Sequence, residues 1–202
     1  MTRQRVDVLL VERGVFESRA KAAAAVIAGE VLLERGGRRI EKPGQLIDSA
    51  AAFRVAGRPR YVSRGGIKLE NALAAFPAIE VAGRRALDAG ASTGGFTDCL
   101  LQRGAAHVIA VDVAYGELHW SLREDPRVTV IERRNVRELK PDELAYRPDL
   151  IVADLSFISL DKVLPALLSC ASSRFDMLAL VKPQFEVGRE RIGKGGVVRD
   201  AA

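Results

Sequence analysis

The chain reads as an α/β protein, a Rossmann-like doubly wound and mostly parallel sheet preceded by a small α+β domain. Three observations predict it. From residue 84 onward, short apolar runs alternate with helical patterns, the signature of strand–helix–strand units. The first run, Arg85 to Asp88, ends in an acid and a glycine-rich turn, Leu87-Asp-Ala-Gly-Ala-Ser-Thr-Gly-Gly-Phe-Thr-Asp-Cys-Leu-Leu101. The next, His107-Val-Ile-Ala-Val111, ends in a second acid, Asp112, about twenty residues on.

Taken in order, residues 5–48 predict two short helices and a small strand pair. Val6 to Arg13 is amphipathic, Ser18 is a candidate cap, and Arg19 to Ala28 is an alanine-rich helix stopped by Gly29. Val31-Leu-Leu-Glu34 reads as a strand and Gly36-Gly37 as a turn. Arg58-Pro-Arg-Tyr-Val-Ser-Arg-Gly-Gly66 reads as a linker, with Pro59, Gly65 and Gly66 breaking regular structure. This divides the chain into residues 1–57, a linker at 58–66 and a second domain at 67–202. Ile67 to Phe76 has helical spacing of Leu69, Ala72, Leu73 and Phe76. It places Lys68 near a helix start, where a cation opposes the dipole and by itself reads as an ordinary surface lysine. Strands are expected at Ala86–Asp88, Val108–Val111, Val128–Ile131, Leu150–Ala153 and Met177–Val181, with helices in the gaps.

The glycine loop carries the first functional signal. Gly90, Gly94 and Gly95 let backbone approach a ligand where a Cβ would collide, and Thr93 or Thr97 is placed to cap the following helix. A dinucleotide site would show G-x-G-x-x-G with a pyrophosphate on the helix N-terminus. Here the spacing is D-x-G-x-x-x-G-G, which favours S-adenosylmethionine, a ligand with no phosphate to cradle. Asp112 then stands where α/β folds place the carboxylate for ribose hydroxyls. The competing reading is that the glycines only permit tight packing. Doubly wound sheets hold ligands beyond the carboxyl ends of their strands, which puts Asp88, Asp112, Asn135, Asp154 and Lys182 on one edge.

Asp154 and Lys182 each follow an apolar strand, where a charge is costly unless it is paired or solvated in a cleft. A salt bridge pinning two strand ends would explain them structurally. Methyl transfer to a ribose hydroxyl would use them differently. It needs a base to take the hydroxyl proton, and a lysine serves when desolvation or a nearby cation lowers its pKa and an acceptor holds it. Lys182 then fits the base, Lys68 the second cation and Asp154 the positioning carboxylate.

Composition bounds the rest. At 48% hydrophobic residues and 202 residues the chain supports one sizeable core and a small module. No run approaches the roughly 20 apolar residues of a membrane span, and the N-terminus lacks a hydrophobic signal region, so a cytoplasmic protein is expected. Cys99 and Cys170 lack metal spacing and read as buried reduced thiols, His107 and His119 read as structural, and no metal site is expected. Charge is uneven. Residues 1–68 carry 14 basic against 7 acidic side chains, the remainder 17 against 19. That basic excess suits a polyanion grip, or merely a solvated face.

Arg5, Asp7, Leu10, Ser18, Arg19, Ala22, Ile27, Gly29 and Val31, followed by Lys42-Pro-Gly, resemble the small RNA-binding module first named for the ribosomal protein S-four. The resemblance implies that basic side chains, with Arg5, Arg19, Lys21, Arg60 and Arg64 as candidates, meet folded RNA. Ser63-Arg-Gly-Gly-Ile-Lys-Leu69, Asp88-Ala-Gly-Ala-Ser-Thr-Gly-Gly-Phe96, Ala153-Asp-Leu-Ser-Phe-Ile158, Val181-Lys-Pro-Gln-Phe-Glu186 and Gly193-Lys-Gly-Gly-Val-Val-Arg-Asp200 extend it. With them the whole chain resembles the TlyA-type haemolysin and ribosomal RNA 2′-O-methyltransferase family, whose catalytic domain is FtsJ-like.

The resemblance implies a methyltransferase sheet that methylates cytidine 2′-hydroxyls in small- and large-subunit ribosomal RNA, with ribosomal RNA or subunits as partners. Lys68, Asp154 and Lys182 match three members of the family's Lys-Asp-Lys-Glu tetrad. Asp88, Gly90, Ala91, Ser92, Thr93, Gly94, Gly95 and Phe96, with Asp112, would hold the cofactor, and Asn135 would lie near its adenine. The tetrad's glutamate and the last strands of the family's sheet have no counterpart before Ala202. A truncated chain is therefore expected, with its last strand an open edge; Glu186 follows the lysine strand directly and is not assigned the missing role. The alternative functions are a membrane-active haemolysin and an RNA-binding protein with an inactive methyltransferase domain.

Overall fold

The computed structural model describes residues 3–56, 60–187, 191–193 and 197–198. Arg58 and Pro59 of the expected linker, and most of the motif at 193–200, lie outside the described residues. The chain forms two compact units, Met1–Arg60 and Tyr61–Ala202.

In the first unit, β1 (Arg3–Arg5) leads into α1 (Val6–Glu12), α2 (Arg19–Ile27), β2 (Val31–Leu33), β3 (Leu46–Asp48) and β4 (Phe53–Val55). Ser18 caps α2, its hydroxyl accepting from the Lys21 N–H at 3.3 Å. Val6, Leu10, Ala22, Val26 and Ile47 fill the core between the helices and the strands. The turn at Gly36-Gly37 is present, with both residues at positive φ. However, β2 pairs with β4, and β1 pairs with β3, giving two antiparallel ribbons in place of one strand pair. Three-residue strands are too short to display an alternating period, so β1, β3 and β4 leave no pattern to read.

The second unit runs α3 (Gly65–Ala75), β5 (Arg85–Ala89), α4 (Gly95–Gln102), β6 (His107–Val111), α5 (Trp120–Arg123), β7 (Val128–Ile131), β8 (Leu150–Ala153), α6 (Leu164–Cys170), β9 (Asp176–Ala179) and α7 (Pro183–Glu186). Its five strands are parallel in the order β7-β6-β5-β8-β9. The chain winds outward from β5 to β7, then returns to the other side of β5. The switch point therefore lies between β5 and β8, where a doubly wound sheet opens its ligand crevice.

β5 and β8 show why their sequences are continuously apolar. Successive side chains alternate between two separate cores. Ala86, Val108, Leu150 and Val152 face the layer holding Leu69 and Leu100, and Leu87, Ile109, Ile151 and Ala153 face that of Val136 and Leu167. Fully burying a side chain such as Leu87 contributes roughly 1.5–3 kcal/mol. Cys99 and Cys170 are free thiols in opposite layers.

Two expectations are corrected. Gly65 and Gly66 do not break structure; they are the first residues of α3. A Cβ on Gly66 would run into the Tyr61 ring. Helices do not fill every gap either. α5 is four residues, and β7 and β8 are joined only by single 3-10 turns at Val136–Glu138 and Pro141–Glu143. That connection buries Val136, Leu139 and Leu144 but is otherwise rich in charge, and Pro141 and Pro148 each remove an N–H donor that a continuing helix would use. Among the described residues β9 pairs with β8 alone and forms an edge of the sheet.

Candidate active site

The glycine loop joins β5 to α4, and much of what it accommodates is protein. Asp88 is fully buried beneath it, where Thr97 Oγ1 donates to Asp88 Oδ2 at 2.7 Å. Burial pushes the Asp88 carboxyl up to about 7, against the opposing Thr97 hydrogen bond. Thr97 is thus the partner of Asp88, and neither it nor Thr93 caps α4, whose N-cap is Gly94 at φ +97°. A Cβ on Gly94 would strike Leu122 and lie 2.8 Å from Leu118 Cδ1. One on Gly95 would strike Ser63 Oγ and approach Gly66 N to 2.7 Å. These two glycines let α4 meet α3 and the α5 region, a packing role that stands beside the expected approach to a ligand, since Gly95 also lines a cavity at the carboxyl edge of the sheet. Gly90, at φ +86°, does border open space.

Two adjoining cavities open at the carboxyl edge of the sheet and share Gly90, Ser92, Asp154 and Ser156. The first, about 380 Å³, is further lined by Asp112, Asn135, Val136, Leu155, Phe157 and Ile158. Asp112 Oδ2 accepts from Ser92 N at 2.7 Å and its Oδ1 from Ala114 N at 2.8 Å, so strand β6 and the glycine loop hold each other. Asn135 Oδ1 caps the turn after β7 by accepting from Arg137 N at 3.0 Å. The second cavity, about 520 Å³, is lined by Arg64, Lys68, Ala91, Gly95, Phe96 and Lys182, among others. Asp88, Thr93 and Gly94 line neither.

Asp154, just past β8, gathers the two lysines from distant parts of the chain. Lys68 Nζ lies 2.7 Å from Asp154 Oδ2, and Lys182 Nζ lies 2.7 Å from Asp154 Oδ1. Lys182 also donates to Ser156 Oγ at 2.8 Å. Burial raises the Asp154 pKa, but hydrogen bonds and charge from Lys182 and then Lys68 outweigh it and hold the carboxyl below its usual range. The Asp154 and Lys182 side chains are 16% and 20% exposed, against 48% for Lys68, so the Asp154–Lys182 contact is the drier.

Sequence reasoning passed over several residues here. Ser156 and Phe157 lie within Ala153-Asp-Leu-Ser-Phe157, yet nothing in that string says that Ser156 meets Lys182. Phe157, at φ +65°, is 90% exposed, and its ring lies 5.3 Å from that of Phe185. Glu186 accepts from Ser159 Oγ at 2.8 Å and from Leu160 N at 3.0 Å, tying the segment after Lys182 to the segment after Asp154.

The candidate RNA contacts divide. Arg5 and Arg19 both bind the buried Asp7, at 2.9 Å each. Arg5 foremost, then Arg19, hold the Asp7 carboxyl far below the usual range against its burial. Lys21 pairs with Glu17, Arg64 lines the second cavity, and Arg60 closes the first unit. Among the described residues no helix is long and apolar enough to cross a membrane, and no group of three or more His, Cys, Asp or Glu could hold a metal ion.

A doubly wound parallel sheet, with polar cavities at its carboxyl edge and a lysine–aspartate–lysine cluster beside them, defines the α/β class of enzymes and makes the switch point of the sheet the candidate active site. The FtsJ-like methyltransferase family model matches residues 61–202, and the chain belongs to that family. Its relatives include the 16S/23S rRNA (cytidine-2′-O)-methyltransferase TlyA of Mycobacterium tuberculosis, 56% identical over 98% of this chain and 74% of the relative. Hemolysin A of Brachyspira hyodysenteriae is 40% identical over 97% of this chain and 81% of its own length. A solved Streptococcus thermophilus structure, provisionally named a hemolysin, superimposes with a TM-score of 0.70 at 47% identity, covering 99% of this chain and 73% of that one.

Proposed function

We propose that this methyltransferase moves the methyl group of S-adenosylmethionine to the ribose 2′-hydroxyl of cytidine in ribosomal RNA. The observation that carries the reading is the convergence of Lys68 and Lys182 on Asp154 in a cavity bordered by the glycine loop. The first cavity suits the cofactor by its chemistry. Asp112 stands at its edge for a ribose diol, Val136, Leu155 and Ile158 offer apolar walls for an adenine, and Asn135 offers an amide. Carboxylates at Asp112 and Asp154 favour a cationic ligand over a pyrophosphate.

When bound, the cofactor supplies an electron-poor methyl carbon and departs as a neutral thioether. The protein's own residues do the rest. Lys182, in its amine form, takes the proton of the acceptor hydroxyl as the hydroxyl oxygen forms its bond to carbon. Asp154 orients that amine and stabilises the ammonium it becomes, and Lys68 places a second positive charge beside it. Holding the hydroxyl in line supplies the remaining advantage.

The first unit serves as the RNA grip. Its support is the basic excess of residues 1–68 and the half-exposed guanidinium groups of Arg5 and Arg19, fixed by Asp7. Labelled methyl groups, supplied as S-adenosylmethionine with ribosomal subunits, are expected to map to a cytidine ribose. Absence of RNA labelling by the protein would overturn the reading. Dye release from lipid vesicles without RNA or cofactor would establish the haemolysin alternative instead, and RNA binding without labelling would establish the inactive-domain alternative.

A further inference from the structure

We propose that Ser156 is a positioning residue that sets the direction in which Lys182 meets the acceptor hydroxyl, an inference that rests on the methyl-transfer reading above. The geometry about Lys182 Nζ carries it. The nitrogen is tetrahedral and bonded to Cε; it donates to Ser156 Oγ at 2.8 Å and lies in ion-pair contact with Asp154 Oδ1 at 2.7 Å, a contact that lacks hydrogen-bond alignment. Among the described residues the aligned hydrogen bond of Lys182 is therefore the one to Ser156, while Asp154 supplies charge beside it. In the amine form Lys182 has two N–H donors and one lone pair. Ser156 engages one donor, the Asp154 charge draws the other N–H to its side, and the lone pair is left the remaining direction. With Asp154 alone, rotation about Cε–Nζ would present an N–H or the lone pair to the substrate interchangeably. The directional hydrogen bond to Ser156 restricts that freedom.

The surroundings of Ser156 are built to hold it. It follows Asp154 by two residues and lines both cavities, so its hydroxyl stands where the cofactor and acceptor compartments meet. Immediately after it the chain turns through Phe157 at φ +65°, a conformation side-chain-bearing residues adopt only under constraint. Two residues further, Glu186 binds Ser159 Oγ and Leu160 N, so the helix that begins at Pro183, next to Lys182, is tied to the loop carrying Ser156. Lys68, by contrast, approaches the other oxygen of Asp154 and is more than twice as exposed. The fixed orientation belongs to Lys182.

The test compares Ser156→Ala, Ser156→Thr and Lys182→Ala with the unaltered full chain on ribosomal subunits. Ser156→Ala should lower kcat about tenfold while KM for cofactor and RNA stays within about twofold, because only the alignment of the base is lost. Ser156→Thr, which keeps the hydroxyl, should recover most of the rate. Added to Lys182→Ala, Ser156→Ala should cost nothing further, because a residue acting through Lys182 has nothing left to act on. A kcat for Ser156→Ala within twofold of the unaltered protein would sink the proposal, as would a loss that Thr fails to restore or one that appears in KM alone. A readout independent of turnover is the Nζ–H signal of Lys182 in protein labelled with nitrogen-15 lysine, assigned by its loss in Lys182→Arg. The signal should weaken or vanish in Ser156→Ala and persist in Ser156→Thr; an unchanged signal in Ser156→Ala overturns the proposal even if no RNA is labelled. Unaltered protein that labels no RNA refutes the methyl-transfer reading instead, so the two failures are distinct.

Discussion

Two carboxylates in this molecule each hold a pair of cations, Asp7 with Arg5 and Arg19, and Asp154 with Lys68 and Lys182. Drawn as charges the clusters are the same, and the difference lies in what each cation can do. A guanidinium stays protonated at any working pH and binds a carboxylate through a planar fork, as Arg5 does with both oxygens of Asp7 at 3.0 and 2.9 Å. Such a cluster can orient positive charge but cannot move a proton. An ammonium is a point charge on a flexible stem and can become a base. Asp154, moreover, borders both cavities, whereas Asp7 is buried in the first turn of α1, where the Val8 N–H also binds it. The identity of the cation and access to a cavity are what would let the second cluster, and not the first, move a proton.

The largest effect that distinguishes them is expected at Lys182. Lys182→Ala should lower kcat by about 100- to 10,000-fold, the range for loss of a proton-transfer group, with cofactor affinity little changed. Arg5→Ala should leave kcat at saturating RNA within about twofold. Single-turnover labelling of both variants checks this, and a collapse of kcat in Arg5→Ala would erase the distinction.

Next in size are opposite dependences on pH. Asp7 has a lowered pKa in the fold, so its contribution to stability is present above the unfolded carboxylate value near 4 and is lost as pH falls through the folded value. Asp88 has a raised one, about 7, so the folded state holds a proton that the unfolded chain has already released. Its contribution is complete below about pH 4 and disappears as pH rises through 7. Acid should therefore weaken the first unit, and the step from pH 5 to pH 8 should weaken the second by an amount on the order of 1–3 kcal/mol. Asp88→Asn, which still accepts from Thr97, should flatten that second slope. Melting curves across pH, with probes in each unit, would contradict this if Asp88→Asn kept the slope.

How far these sites could be read in advance depended on what a residue's neighbours in sequence reveal. The five strands of the second unit were legible because parallel strands covered on both faces are continuously apolar, and a charge at the end of such a run marks the ligand edge of the sheet. Asp112, Asn135, Asp154 and Lys182 were therefore placed together before any coordinates. Lys68 was not; alone it resembles a surface lysine, and only the chemistry of methyl transfer, then the family resemblance, joined it to the others. Glycines were the least legible. A glycine that admits a ligand and one that admits a neighbouring helix have the same local signature, so the packing that Gly94 and Gly95 permit against Leu122, Leu118, Ser63 and Gly66 was not legible beside the ligand reading. The burial of Asp88 was equally hidden, since a strand-end acid looks alike whether it faces a cavity or turns inward to Thr97. Gly95→Ala tests that distinction. It should destabilise the second unit by about 1–3 kcal/mol without any ligand present, because its Cβ meets Ser63 and the Gly66 backbone. Unchanged stability together with weakened cofactor binding would restore the ligand reading.

The smallest effect is expected where the first cluster meets RNA. Arg19 offers a side chain 60% exposed while one of its terminal nitrogens rests on Asp7, which leaves it oriented and able to meet a phosphate. A single phosphate contact contributes about one unit, slightly less on single strands, to the slope of log affinity against log salt. Arg19→Ala should thus reduce the slope by about one, weaken RNA binding only a few-fold at physiological salt, and leave kcat at saturating RNA unchanged. Arg19→Lys should keep the charge and most of the slope but lose the fixed fork, giving an intermediate affinity. If Arg19→Ala leaves the slope as it was, the guanidinium is occupied wholly by Asp7, and the first cluster serves only to hold α1 and α2 together.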